Sequence, residues 1–265
     1  MKRSFWTRRL KHLCLSGALG LWLAAPALAG HFTHDRILGF SQDGRYFAFK
    51  TYGLQRGSGL PFANLFVLDV SRDAWVSGTP LRANRGEETM AEVEEAPFTA
   101  LSEVRAELMQ RAQPVLARYG IERPATVLFA AGIGQAYEAA TTVHVTLPNP
   151  DDPTAAPWGG LDLTLDSIAM PGGATRCTRP EDLRGYRVTL ALPGAAPQTV
   201  HEDRSIPASR GCPQAYRLDA IVSAGFPQAG RSLVALISVW GQGFEGLSRH
   251  VIALPIPLIE GAFTR

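Results

Sequence analysis

Residues 39–45 read Gly-Phe-Ser-Gln-Asp-Gly-Arg, and residues 225–231 read Gly-Phe-Pro-Gln-Ala-Gly-Arg. The reading of this pair decides the fold. In the first copy, Asp43-Gly44 supplies the positive-φ turn that β-hairpins favour, so residues 36–53 are expected to form a hairpin. From Arg45 to Tyr52 the chain alternates. Phe47, Phe49 and Thr51 fall on one face, and Tyr46, Ala48, Lys50 and Tyr52 on the other. Aromatics on both faces predict a strand covered on both sides. A glycine-rich loop, 53–61, leads to the apolar run 64–70, a buried strand. The second copy follows the same plan. A strand precedes Gly225, and a strand follows Arg231. Then come Trp240-Gly241, a loop with Gly243 and Gly246, and a third strand. The expectation is a three-stranded meander used twice, near each end of the chain.

Between the meanders the period changes. Leu101, Val104, Leu108, Ala112, Val115, Leu116 and Tyr119 follow the 3–4 spacing of an amphipathic helix over 99–119. Thr99 is placed to cap it and Gly120 to end it. Glu107 and Arg111 form a favourable i,i+4 pair, and Pro114 interrupts the last turn. The acidic stretch 83–98 reads as a solvated loop or helical lead-in. Further strands are expected at 125–130, 141–147, 161–168, 186–192, 216–224, 233–240 and 249–254. The fold class is mainly β with one amphipathic helix (α+β). Its terminal meanders share one sheet or lie in two packed sheets. The turn Ser41-x-Asp43-Gly44-Arg45 also resembles that of TolB-like propeller blades. Propellers repeat a blade at a short, fixed period, so a partial propeller-like array ranks second.

The first 29 residues read as a signal peptide. Residues 1–12 hold five Lys or Arg and no acid, 13–29 hold no charge, and Ala27-Leu28-Ala29 is a small-x-small cleavage pattern. The expected remainder, 30–265, is one secreted β-rich domain, periplasmic or secreted, with no stable membrane span. The whole chain has 26 basic and 24 acidic residues; without the leader the basic count falls to 21. No Lys/Arg cluster interleaved with aromatics remains, which excludes a standard nucleic-acid surface. Two cysteines outlast the leader, Cys177 and Cys212. In an exported chain such a pair is expected to form a disulfide.

No nucleophile elbow, zinc-protease helix, phosphate loop or dinucleotide fingerprint is present, and nothing in the sequence implies a cofactor. The glycine loops offer a ligand- or partner-binding surface built from Tyr52, Gln55, Arg56, Ser58, Trp240, Gln242, Phe244 and Glu245, since permissive loops on a rigid sheet commonly carry function. Gly30-His31-Phe32-Thr33-His34-Asp35 offers a metal site at His31 and His34, because neutral imidazole suits Cu(II) and Zn(II). Asp151, Asp152, Asp162 and Asp166 are acidic without the compact loop calcium needs. His201-Glu202-Asp203-Arg204 reads as a polar turn. With His250, it supplies the residues for an alternative reading, an envelope hydrolase with a dispersed site. A small metal-handling protein is a further alternative. The favoured reading is a non-enzymatic domain that binds an envelope protein or ligand.

Three segments carry a family resemblance: GFSQDGRYFAFKTYGLQRGSGLPFANLFVLDV (39–70), IPASRGCPQAYRLDAI (206–221) and GFEGLSRHVIAL (243–254). They resemble a family of predicted secreted bacterial proteins of unknown function. The resemblance implies export and a single family domain, and no activity. The family pattern carries acids near positions 50 and 56, where this chain has Lys50 and Arg56. A shared acidic site is therefore not expected at those positions.

Overall fold

The structure is a computed structural model that describes residues 33–55, 57–132, 140–147, 152, 154, 159–171, 177–225, 232–243 and 246–258. Residues 1–32, the loop around 148–158 except Asp152 and Thr154, and most of the second Gly-Phe…Gly-Arg turn lie outside them.

The N-terminal meander forms as expected. β1 (His34–Ser41), β2 (Tyr46–Leu54) and β3 (Pro61–Asp69) pair antiparallel in sequence. Asp43 builds the first turn. Its Oδ1 accepts from Ser41 Oγ at 2.6 Å and from the Arg45 N–H at 3.0 Å. Those bonds hold the Asp43 carboxyl below its usual pKa. Gly44 takes φ +74°, the conformation for which glycine is used. Gly39, at φ +133°, marks a bulge in β1, and a Cβ there would overlap the Arg123 carbonyl oxygen.

This sheet extends past the meander. Short strands β4 (Ala74–Trp75) and β5 (Leu81–Asn84) both pair with β3. The stretch 83–98, expected to be a solvated loop or a helical lead-in, holds the end of β5, a 3₁₀ turn and α1 (Met90–Glu95), which leads into the long helix. Next comes α2 (Pro97–Arg118), which starts two residues before Thr99. Pro97 takes its first position, where a missing N–H costs nothing. The helix runs on through Pro114, and Gly120 follows its end at φ +60°. The Glu107–Arg111 pair is present at 3.5 Å. β6 (Ile121–Arg123) then pairs with β1.

The C-terminal meander sits in a second sheet. Its order is β14 (Gly246–Pro257), β13 (Ser232–Gly243), β12 (Pro213–Ser223) and β7 (Thr126–Ala130). A third sheet runs β11 (Gln198–Glu202), β10 (Arg184–Ala191), β9 (Gly159–Ala169) and β8 (Ala140–Leu147). The expected strands are all found, each within a few residues of its predicted bounds.

The layers follow from what each face buries. Phe40, Phe47, Phe49, Leu68 and Val70 pack on Ala220, Val222, Val234, Leu236 and Val251, so the two meanders face each other. The opposite face of the second sheet, with Tyr216, Leu218, Ile221, Leu233, Ala235 and Ile237, packs on the third sheet through Val145, Leu163, Leu165 and Val188. A sheet covered on both sides needs near-continuous apolar strands, and β12 and β13 have them. On the outer face of the first sheet, Ala48, Ala63, Leu65 and Val67 receive Val104, Leu108 and Ala112 of α2. The result is a sandwich-like stack of helix, sheet, sheet and sheet. The propeller-like alternative is set aside, because the sheets lie in layers and are not arrayed as blades.

Candidate functional site

The two meanders are joined by a buried polar network. A bulge at Asp219, between the pairs Leu218–Ile237 and Ala220–Leu236, turns its carboxylate toward the first sheet. Arg217 Nε donates to Asp219 Oδ1 at 2.8 Å. Arg249 Nη2 reaches Asp219 Oδ2 at 2.6 Å and Asp35 Oδ1 at 2.9 Å. Arg249 also donates to Ser238 Oγ and to the Thr33 carbonyl, and Thr33 Oγ1 donates to the Arg249 carbonyl at 2.6 Å. The Asp219 side chain is 8 % exposed and that of Arg249 13 %. Burying charge is costly unless it is paired and fully hydrogen-bonded, and here it is both. Arg217, Asp219 and Arg249 were missed by sequence reasoning. The available signal was Arg217-Leu218-Asp219, two charges set in an otherwise apolar strand.

This network places both glycine loops at one end of the stack. Tyr52, beside the first loop, pairs across the strands with His34. The neighbouring Thr33 holds Arg249, and Arg249 pairs with Trp240, beside the second loop. The first loop is well formed: Gln55 N–H donates to the Leu60 carbonyl at 2.7 Å, Gly59 N–H to the Gln55 carbonyl at 2.8 Å, and Ser58 Oγ accepts from Leu60 N–H at 3.3 Å. Behind the second loop, Gln242 N–H donates to the Cys212 carbonyl at 3.0 Å, and Gln242 also donates to Thr178 Oγ1. The Cys177–Cys212 disulfide is formed, with an S–S distance of 2.02 Å, and it holds this same end.

Of the loop residues singled out by sequence, Tyr52 and Trp240 already have partners. His34 stacks on Tyr52 with ring centroids 5.5 Å apart, and the Arg105 guanidinium lies over Tyr52 at 4.0 Å. Arg217 lies over Trp240 at 5.2 Å. Ser58 is half-buried in its loop. Arg56, Phe244 and Glu245 lie outside the described residues, as does His31.

A second cluster gathers at the start of β12. His201 and Glu202 end strand β11, and Asp203 follows as a buried side chain; the stretch is not a solvated turn. The strand was missed because its residues are polar and it lies at a sheet edge. Asp203 accepts from His201 Nε2 at 3.0 Å, from Tyr186 N–H at 3.0 Å and from Arg210. Burial would raise the Asp203 carboxyl, but these three bonds outweigh it and hold the pKa down. His201 stacks on Tyr186 at 4.5 Å, and Arg210 lies over the same ring at 4.7 Å. Burial raises the Tyr186 phenol and pushes Tyr216 up to about 12. Glu202 pairs instead with Arg187 at 2.9 Å. His250, with Nε2 buried and unpartnered, is depressed to about 4 by burial, with Arg210 and Arg249 adding to the effect.

The acids noted around the proline-rich loop do not converge. Asp162 pairs with His144 at 2.7 Å on an exposed strand face. Asp152 accepts from Thr154 N–H at 2.9 Å and Thr154 Oγ1 at 2.7 Å. Asp166 lies on β9 opposite Arg187, and Asp151 lies outside the described residues. Among the described residues no three His, Cys, Asp or Glu side chains gather as metal ligands. Nor is any helix among them long and apolar enough to cross a membrane.

Stacked antiparallel sheets, one face covered by a helix and one end closed by a disulfide, define a sandwich-like α+β protein. The chain belongs to a family of predicted secreted proteins (DUF2259), whose model matches residues 48–256. That membership fits a periplasmic or secreted location. No curated relative and no solved structure matches the chain.

Proposed function

We propose that the chain loses residues 1–29 on export and acts as one non-enzymatic binding domain of the cell envelope, capturing a protein or envelope ligand at the glycine-loop end. One observation carries this reading. The strand ends that flank the two loops, Leu54 with Pro61 and Gly243 with Gly246, far apart in sequence, lie toward the same end of the stack, linked through Thr33 and Arg249. A buried charge network and a disulfide hold the strands beneath them. Rigid strands with permissive loops suit recognition. Tyr52 and Trp240 serve as props with their stacked arginines, and contact falls to Ser58, Gln55 and the tip between Gln242 and Gly246. The test is partner capture by the protein and by a variant with Ser58→Arg and Gln242→Arg. Capture is expected to fall sharply with unchanged unfolding. Full capture by a folded double variant would remove the loops from the account.

The hydrolase alternative draws on the His201–Asp203 contact. Asp203 is already satisfied by three donors, Arg210 neutralises it, and the described residues put no Ser or Cys nucleophile in hydrogen-bond contact with His201. That arrangement supports a fold-holding role. Turnover in a hydrolase substrate screen, lost in His201→Gln, would reinstate the alternative.

A further inference from the structure

Five charged side chains are buried among the described residues: Lys50, Asp69, Asp203, Arg217 and Asp219. Four of them sit in ion pairs. Lys50 is 7 % exposed and forms no hydrogen bond or ion pair among the described residues; its stem is buried, while its Nζ reaches solvent. It shares the helix-facing side of β2 with Ala48 and Tyr52. Directly opposite on β1 is Arg36, which is exposed, and opposite on β3 is the apolar Leu65. From α2, Arg105 comes down over Tyr52 at 4.0 Å, with its Nε buried and unpartnered. His34 stacks on the same tyrosine. The acids nearby in sequence are committed elsewhere: Asp35 to Arg249, and Glu103 and Glu107 to Arg85. Like charges directly across a strand pair repel, and a buried unpaired charge is costly. Burial lowers the Lys50 pKa, and Arg105 and Arg36 lower it further, as expected for cations crowded without an anion.

We infer that Lys50, Arg36 and Arg105 form a binding site for a phosphate-type oxyanion between the β1–β2 hairpin and helix α2. Two guanidiniums present planar donor forks and the ammonium a point charge, a set that suits a dianion with several acceptor oxygens better than a single carboxylate. Exposed Arg36 marks the mouth, Lys50 the floor, and Tyr52, clamped by His34 and Arg105, one wall. The phosphoryl group can arrive as free phosphate or as the headgroup of an anionic lipid. This inference stands apart from capture by the loops and is read by different assays.

The experiment follows thermal unfolding of the exported protein while inorganic phosphate replaces chloride at constant ionic strength. Co-sedimentation with phosphatidylcholine vesicles doped with phosphatidic acid runs in parallel. A saturable rise in Tm with phosphate supports the site with free phosphate as its source. Phosphate-competed binding to the doped vesicles alone supports it with lipid as its source. Lys50→Met is expected to abolish either response. Arg36→Gln, at an exposed position where folding is not at stake, is expected to weaken it about tenfold, the loss of one charge-assisted contact. Absence of both responses in the unsubstituted protein overturns the inference. So does a response that Arg36→Gln and a folded Lys50→Met both retain in full.

Discussion

Arg249→Ala removes the side chain that ties the terminal meanders together. The guanidinium contacts Asp219 at 2.6 Å, Asp35 at 2.9 Å, Ser238 and the Thr33 carbonyl. Breaking a buried ion pair by removing one partner typically costs about 3–5 kcal/mol, because a charge is left buried. Two features move the expected value to the lower end. Asp219 keeps Arg217 at 2.7 Å. Asp35 is 25 % exposed and regains water. The expected loss is therefore about 3 kcal/mol, against ~0–1 kcal/mol for an ordinary exposed pair. The assay is urea unfolding at neutral pH, with a double-mutant cycle against Asp35→Asn. Groups in one network couple by about 0.5–3 kcal/mol. A loss below about 1 kcal/mol, with no coupling to Asp35, would refute the claim that this network joins the two sheets.

Three further perturbations address other parts of the fold. Gly39→Ala places a Cβ against the Arg123 carbonyl at φ +133° and should cost more than about 1 kcal/mol; an unchanged urea midpoint would remove the bulge from the argument. His250 is depressed from its usual 6.5 to about 4 by burial, so the unfolded chain binds the extra proton first. Stability should therefore fall as pH drops from about 6.5 to 4, by roughly 3 kcal/mol in total. His250→Leu should flatten that window, and identical pH profiles for the two proteins would contradict the burial of the ring. Replacing both Cys177 and Cys212 by Ser opens a loop with a sequence separation of 35. It should cost about 3–4 kcal/mol by the chain-entropy model, read as a drop in urea midpoint that reduction of the unsubstituted protein reproduces.

Local chemistry made much of the fold legible. Asp43-Gly44 announced its hairpin, since the turn depends on residues that touch one another. The 3–4 spacing from Leu101 to Tyr119 announced α2, and the apolar continuity of β12 and β13 announced buried strands. What the sequence left open was decided at long range. Nothing local says that β7 joins the sheet of β12 or that the third sheet covers its far face. β11 was concealed because an edge strand with one solvated side, Gln198–Glu202, looks like a polar turn. The acidic run after β5 left loop and helical lead-in open, because the short helix it forms buries Val93 alone. The residues of the proposed binding surface were less legible than the fold. Tyr52 and Trp240 stood out as aromatics, but their arginine partners come from α2 and β12. The alternation of β2 placed Lys50 on a covered face beside Ala48 and Tyr52, but nothing local announced that Arg105 of α2 lies over Tyr52 on that side.

Site-specific photo-crosslinking in the native envelope tests the proposed role of the glycine-loop end most directly. A photoreactive residue is placed at Ser58, at Gln242 and, as a control, at Gly194 on the remote β10–β11 turn. The account predicts one common adduct from Ser58 and Gln242 and none from Gly194. Adducts from Gly194 alone, or no adduct from either loop, would contradict it.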